Sequence, residues 1–223
     1  PLDLPLVMRR DAPRTALDLA SMLTGRRIRV IGADEEVTIE RLWISSGRSV
    51  ALDTPCVREY QPAFSMEKIT LIRDAIAAVY PRESRNQPLD SVFIDRTSHY
   101  REIVNRRAVR RELRSMGVAS IDLQQLPIRE QIAVMRNARI VVAQGGAGLA
   151  NAVFCEPGTR FVVLATPHLR QHEFWRQLIE LCGMQVSFVA GKSRAAAQGQ
   201  EAHANFSIPL RILRQKFLQE SAA

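Results

Sequence analysis

Apolar residues form five short runs in the C-terminal half of the chain, and the segments between these runs show helical spacing. The runs cover residues 91–96, 118–123, 139–144, 159–165 and 185–190, and their length predicts buried strands. The segments 101–116, 128–137 and 172–182, and a short stretch from Ala147, predict helices. A strand stub and a closing helix are predicted over 206–218. Strands that alternate with helices predict a parallel, doubly wound α/β sheet.

The N-terminal part is predicted to be a smaller α/β unit. Strands are predicted over 4–8, 27–32 and 37–45, and a helix over 13–24 begins on a proline and stops before Gly25. An amphipathic helix over 65–79 has Ser65 as its N-cap, and the polar segment 81–88 indicates a domain boundary. We therefore expect a partial N-terminal α/β domain over 1–64, a connecting helix and linker over 65–88, and a C-terminal sheet domain over 89–223.

Composition changes this picture mainly through charge. The 223 residues include 31 Lys and Arg against 23 Asp and Glu, a net charge of +8, which favours phosphates, nucleic acid or an acidic membrane surface as partners. The sequence lacks a run of 18 apolar residues, so it predicts no membrane-spanning helix. Because the chain begins with Pro1, we expect it to be part of a longer protein. Cys56, Cys155 and Cys182 fit no metal motif and are expected to be buried free thiols.

The segment Gln144-Gly145-Gly146-Ala147-Gly148 joins a predicted buried strand to the start of a helix. Glycine allows a sharp turn and the close approach of a ligand, and a helix N-terminus offers amide groups to an anion. The segment therefore indicates a phosphate site, with a tight turn needed only for packing as the alternative. A dinucleotide-binding fingerprint fits poorly, because Asn151 occupies the position of its third glycine.

Arginines follow the first strand of the C-terminal half. Arg96 comes directly after the strand, and Arg101 and Asn105 are four residues apart, a spacing that predicts one helix face. A loop arginine and a first-turn arginine can form a fork for a diphosphate. The remaining arginines of this segment are predicted to form a solvent-exposed basic face: Arg107, Arg110, Arg111 and Arg114. A basic nucleic-acid-binding domain is a further hypothesis, but no nucleic-acid partner is expected, because the segment lacks interleaved aromatic residues and a known binding motif.

Together these segments resemble glycosyltransferase family 61. The similarity rests on VFIDR and REIVN, then LPIREQIAVMRNARIVVAQGGAGLANAVFCEPGTRFVVL, then FWRQLIELCGM, in this order over residues 90–190. The resemblance implies a GT-B-like architecture, with a Rossmann-like parallel sheet in the C-terminal domain facing a partial N-terminal α/β domain. It also implies inverting transfer of a sugar from a nucleotide donor, usually a UDP-sugar, to a hydroxyl acceptor. The expected products are polysaccharides or glycans, as in bacterial capsular-polysaccharide synthesis, and no cofactor or metal is expected.

The resemblance further implies a set of donor-binding positions in the C-terminal domain. They are Arg96, Arg101, Asn105, Gln131, Gly145, Gly146, Ala147, Gly148 and Asn151. Three positions depart from the family pattern: Gly145 stands at a usual histidine, and Val163 and Arg106 stand where glutamate is common. These departures leave a second hypothesis, a non-catalytic domain that binds nucleotide sugar or serves as a scaffold.

The histidines do not identify a catalytic base or a metal site. His99 lies near the arginines in sequence and is either a base or a surface residue. His168 and His172 are four residues apart, but the sequence shows no third ligand near them, so no metal site is predicted. The expected location is the cytoplasm, with a peripheral contact at the inner face of the membrane as an open alternative.

Overall fold

The N-terminal residues form a small β-α-β layer. The computed structural model describes residues 5–38, 64–80, 90–96, 101–166, 173–193 and 204–222. In the first of these ranges, β1 (Leu6–Arg9) and β2 (Ile28–Ile31) pair in parallel, and α1 (Arg14–Thr24) connects them. As predicted, α1 ends at Gly25, whose φ of 62° lies in the left-handed region that glycine adopts easily. The next helix is α2 (Met66–Val79), and the hydroxyl of Ser65 accepts a hydrogen bond from the amide of Lys68 at its start.

Five parallel strands form a central sheet in the C-terminal half of the chain. They are β3 (Ser91–Ile94), β4 (Ala119–Ile121), β5 (Ile140–Gln144), β6 (Arg160–Ala165) and β7 (Gln185–Ala190). Their order in the sheet is β4-β3-β5-β6-β7. Apolar side chains point to both faces: on β5, Val141 and Ala143 enter one hydrophobic cluster and Val142 enters another. The sheet confirms the predicted parallel α/β architecture, and it is consistent with a Rossmann-like fold.

Helices cover both faces of this sheet. The chain forms α3 (Arg106–Ser115), a 3-10 helix (Leu123–Gln125), α4 (Ile128–Asn137), a second 3-10 helix (Ala147–Phe154), α5 (Glu173–Leu181) and α6 (Leu210–Ala222). One face packs against α3 and α6, which contribute Leu113 and Phe217 to the core. The other face packs against α2, α4, α5 and the second 3-10 helix. Among the helices that the structure describes, none is both long and apolar enough to cross a bilayer.

Several details differ from the sequence-based predictions. The helix predicted over 101–116 begins only at Arg106, because Arg101 has a φ of 61°, a left-handed conformation that an α-helix cannot include. A two-residue strand β8 (Lys192–Ser193), which was not predicted, pairs in antiparallel fashion with β9 (Phe206–Ser207). Most of the strand predicted over 37–45 and all of the predicted linker 81–88 lie outside the described residues.

Two of the three cysteines lie in the described part of the chain. Cys155 and Cys182 are both buried free thiols, as predicted, and Cys56 lies outside the described residues. Burial is the main cause that raises the pKa of both thiols. These cysteines therefore contribute to the core as small apolar side chains.

Candidate functional site

The two predicted site segments leave adjacent strands at the same edge of the sheet. β3 and β5 pair in parallel, with Ile94 beside Ala143, so the residues that follow both strands meet at the carboxyl edge. From β3 the chain moves outward to β4, and from β5 it moves in the opposite direction to β6. Such a reversal of strand order opens a crevice beyond the strand ends, which is the usual ligand site of open α/β sheets. Arg96 and the glycine turn lie at this point.

Gly146 lies directly against the two arginines. A methyl carbon at this position would be 2.9 Å from Nη1 of Arg96 and 3.7 Å from Cζ of Arg101. The φ of Gly146 is 153° and its ψ is −170°, a conformation that is essentially restricted to glycine. The structure therefore brings Arg96, Arg101 and Gly146 together, and the turn needs glycine for its backbone and for the space beside Arg96.

The two guanidinium groups form a concentrated positive charge. Burial lowers the pKa of Arg96, and the nearby charge of Arg101 lowers it further. In the described part of the chain, Nε of Arg101 is buried and has no hydrogen-bond acceptor. A buried donor without an acceptor is costly, and so are two like charges held together. An anion bound between these side chains would relieve both costs.

A buried glutamine holds the backbone of Arg101. Gln144 is the last residue of β5 and is 6% exposed, and its Nε2 donates a hydrogen bond to the carbonyl oxygen of Arg101. A non-glycine residue in the left-handed region costs roughly 1–2 kcal/mol, so it persists only where other contacts fix it. The side chain of Gln144 is one such contact. Gln144 thus links the end of the central strand to the arginine that faces Gly146.

The residues after Arg101 are fixed by the C-terminal segment of the chain. The amide of Glu102 donates to Oδ1 of Asn205 at 2.8 Å, and the amide of Val104 donates to the carbonyl oxygen of Phe206 at 2.8 Å. Asn105 donates from Nδ2 to the carbonyl oxygen of Ile208 at 2.8 Å, and its Oδ1 accepts from the amide of Ile208 at 2.9 Å. The spacing of Arg101 and Asn105 predicted that they share one helix face. This prediction is wrong, because the helix begins only at Arg106. The amide group of Asn105 ties α3 to the C-terminal segment.

The other predicted donor-binding positions divide into two groups. Gly145 and Gln131 are buried, and both are engaged within the protein: the amide of Gly145 donates to the carbonyl oxygen of Leu164 at 2.9 Å, and Nε2 of Gln131 donates to that of Leu126 at 2.9 Å. The second group begins the 3-10 helix that follows the turn. Ala147 is exposed there, and Gly148 and Asn151 are half-buried. The first amides of a helix have no partner within it, so they can face a ligand.

A buried carboxylate orients the start of the basic helix. Asp95 is 3% exposed and forms ion pairs with Nε of Arg106 at 2.5 Å and Nε of Arg110 at 2.8 Å. Arg110 was predicted to belong to a solvated face; its side chain is 49% exposed, and its guanidinium also reaches this carboxylate. Sequence reasoning did not single out Asp95 or the role of Gln144. Both are polar residues at the ends of otherwise apolar strands, and this position was the signal that could have identified them.

Two further features do not contribute to this site. A cavity of about 370 Å³, lined by Arg139, Glu156, Arg160 and their neighbours, lies where β5 and β6 begin, at the opposite edge of the sheet. Val163 is 1% exposed in the hydrophobic core, so a polar side chain at this position would not reach the crevice.

The histidines considered in the sequence analysis cannot be placed in the site. His99, His168 and His172 lie outside the described residues. Across the ranges that the structure describes, no three metal-ligating side chains form a cluster.

Comparison with known proteins supports the assignment suggested by the sequence motifs. The sequence model of the family Glycosyltransferase 61 matches residues 15–162, which is more than half of the chain. The matched region includes all of α1 except its first residue, both arginines and the complete glycine turn. A search of curated proteins found no match.

Proposed function

Because this chain belongs to glycosyltransferase family 61, we propose that its crevice binds a nucleotide sugar, with UDP as the nucleotide, and that the sugar is transferred with inversion to a hydroxyl acceptor. The observation that carries this proposal is the pair of guanidinium groups beside Gly146. Their position at the strand-order reversal is where an α/β sheet binds nucleotides. The proposed products are polysaccharides or other glycans.

The chemistry requires stabilisation of a leaving diphosphate. In glycosyl transfer, negative charge develops on the diphosphate while the acceptor hydroxyl loses its proton to a base. Fixed cations and amide dipoles at the position of this charge lower the barrier, because they need no reorganisation during the reaction. In our proposal, Arg96 and Arg101 hold the diphosphate oxygens, and the amides of Gly146, Ala147 and Gly148 donate to them. The charge is thus balanced by side chains and amides, without a metal ion.

The remaining positions have supporting roles in this proposal. Asn151 borders the crevice from the 3-10 helix, and Asn105 and Gln131 position the backbone around it through the hydrogen bonds to Ile208 and Leu126. The proposed GT-B arrangement places the donor crevice opposite an N-terminal domain, of which β1, α1 and β2 are the described part.

A ligand panel tests the proposal directly. UDP, UDP-sugars and the corresponding GDP, ADP and CMP compounds would be screened by thermal shift, followed by titration calorimetry. We expect stabilisation by UDP and UDP-sugars, with a smaller effect of uridine, because uridine lacks the diphosphate. If no nucleotide or nucleotide sugar raises the melting temperature at millimolar concentration, the proposed donor site is wrong. If GDP or ADP binds better than UDP, the identity of the base must be revised. If CMP binds better, the proposed contact with a diphosphate is wrong as well.

A second candidate function is suggested by Gly145. This position usually carries histidine in the family, and here it has no side chain, so one polar group is missing next to the turn. A non-catalytic domain would bind the donor without consuming it. Incubation of the protein with its best UDP-sugar and a set of glycan acceptors, followed by mass spectrometry, separates the two functions. Transfer to any acceptor supports the enzyme, whereas binding without transfer across the set favours the second candidate.

Gln144 provides a test of how the arginine pair is held. We expect Gln144→Ala to weaken UDP binding about fivefold, because the loss of one hydrogen bond of roughly 1 kcal/mol releases the left-handed backbone of Arg101. In an Arg101→Ala background the same substitution should have no further effect on the dissociation constant measured by calorimetry. Additive effects of the two substitutions would contradict this coupling.

A matched control for this cycle lies at the other edge of the sheet. Thr159 is 3% exposed and donates from Oγ1 to the carbonyl oxygen of Ala138 at 3.2 Å. Thr159→Ala removes a buried side-chain hydrogen bond to the backbone, as Gln144→Ala does. It should lower the melting temperature and leave the UDP dissociation constant unchanged.

A further inference from the structure

Charge is distributed unequally between the two helical layers of the sheet. α3 and α6, which cover one face, together carry eight Lys and Arg but only two Glu. The helices of the opposite layer, α2, α4 and α5, carry five basic and five acidic residues. The excess positive charge of the helices therefore lies on one side of the molecule. This asymmetry is independent of the donor crevice.

Most of the acidic groups near α3 and α6 are already used by other cations. Glu112 pairs with Arg214, and Glu220 lies 3.8 Å from Lys216. Asp95 is occupied by Arg106 and Arg110. The remaining cations of the two helices are exposed and have no carboxylate partner among the described residues: Arg107, Arg111, Arg114 and Arg211.

Three of these arginines lie on one side of α3. Arg107, Arg111 and Arg114 are spaced three and four residues apart, so they share the outer side of α3, opposite the buried Val109 and Leu113. α6 lies beside α3, since Glu112 contacts Arg214 and both helices pack into the same core cluster.

Exposed aliphatic side chains accompany these charges. Ile212 is 51% exposed and Leu218 is 53% exposed, both on α6, and Val104, which is 51% exposed, lies just before α3. Proteins that bind single-stranded nucleic acid stack bases on exposed aromatic side chains. None of the large exposed apolar residues in the described ranges is aromatic. Arginines with neighbouring aliphatic residues are instead the pattern of a surface that rests on anionic lipid headgroups.

We propose that the α3–α6 face, defined by Arg107, Arg111, Arg114, Arg211, Ile212 and Leu218, docks on the surface of an anionic lipid bilayer. The guanidinium groups contact lipid phosphates, and the aliphatic side chains reach the boundary of the acyl chains. In this orientation the α3–α6 layer lies between the sheet and the membrane. The donor crevice lies at the carboxyl edge of the sheet, beside this surface and not beneath it.

Vesicle co-sedimentation tests this proposal on the full chain. The probe is a vesicle of phosphatidylcholine with about 30% phosphatidylglycerol, which resembles an anionic membrane. We expect the protein to bind these vesicles and to lose this binding as the salt concentration is raised. Each basic side chain near such a surface contributes about fivefold to partitioning, so Arg107→Gln/Arg111→Gln/Arg114→Gln should weaken it about a hundredfold. Pure phosphatidylcholine vesicles should bind weakly.

The control variant removes the same charge from other surfaces. Arg27, Arg129 and Arg139 are exposed and lie outside α3 and α6, so Arg27→Gln/Arg129→Gln/Arg139→Gln has the same net charge as the test variant. It should bind anionic vesicles severalfold less than the parent at most. Equal losses in both triple variants would show that net charge alone governs binding and would overturn the proposed surface.

The aliphatic residues separate lipid from other polyanions. Ile212→Ser/Leu218→Ser keeps all charges and should weaken vesicle binding by at least severalfold, while its retention on a heparin column stays unchanged. Tight binding to single-stranded DNA together with no binding to anionic vesicles at low salt would reject the lipid surface in favour of nucleic acid. Thermal melting of each variant without vesicles verifies that it remains folded.

Discussion

Replacing Arg96 by alanine is expected to weaken UDP binding by about 30- to 100-fold, the lower part of the range for losing one partner of a close charge pair. The folded protein disfavours the charge of Arg96, since burial and Arg101 lower its pKa. The diphosphate would compensate this charge, so its removal costs binding free energy. In the ligand-free protein the same removal relieves the repulsion between the two guanidinium groups. Calorimetry with UDP and thermal melting without it measure the two effects.

Two further variants make this result specific. Arg96→Lys keeps the charge but loses the planar fork, and it should give an intermediate dissociation constant. Arg107→Ala removes an exposed arginine from the outer side of α3 and should leave the dissociation constant within twofold of the parent, as roughly expected for a distant surface charge. Unchanged UDP affinity in Arg96→Ala would refute the assignment of Arg96 to the diphosphate.

Gly146→Ala is expected to lower the melting temperature by about 5 °C and to weaken UDP binding more than tenfold. The φ of 153° lies in a region that costs a non-glycine residue roughly 1–3 kcal/mol, which corresponds to about 2–4 °C per kcal/mol in a protein of this size. The added methyl group would also lie 2.9 Å from Nη1 of Arg96, so this guanidinium must move away from the crevice. Thermal melting and calorimetry follow both consequences.

Gly148 offers the matched control in the same turn. A methyl group at Gly148 would meet no atom within 4 Å, and its φ is not positive. Gly148→Ala should keep the parent melting temperature and UDP affinity, because the amide group remains and alanine favours a helical conformation. If both alanine variants behave alike, the close fit between Gly146 and Arg96 does not govern the site.

The sequence was sufficient to predict helices with one apolar face and strands that consist of one apolar run. The strands β5, β6 and β7 and the helices α1, α2 and α4 were predicted to within one residue at most of their ends, because periodicity and capping residues define them locally. The approach of Arg96 to the glycine turn could also be expected, since both follow parallel strands. The resemblance to the family, which the match over residues 15–162 confirms, added the class of reaction.

The rest depends on contacts between distant parts of the chain. Arg101 to Asn105 has helical composition, yet Gln144 and residues 205–208 hold it in another conformation. Hydrogen bonds to partners 43 and 103 residues away leave no local pattern in the sequence. The same is true of Asp95, whose partners Arg106 and Arg110 were interpreted through their helical spacing alone.

The hydrogen bonds between residues 102–105 and 205–208 also set an order of events during synthesis. Arg101 emerges from the ribosome about a hundred residues before Ile208, whose backbone closes the turn that follows this arginine. The sheet strands can pair earlier, but the second guanidinium cannot take its final position until Ile208 has been translated. A ribosome-bound chain whose residues 1–204 have left the exit tunnel should therefore contain a folded sheet that binds the donor more weakly than the full chain does.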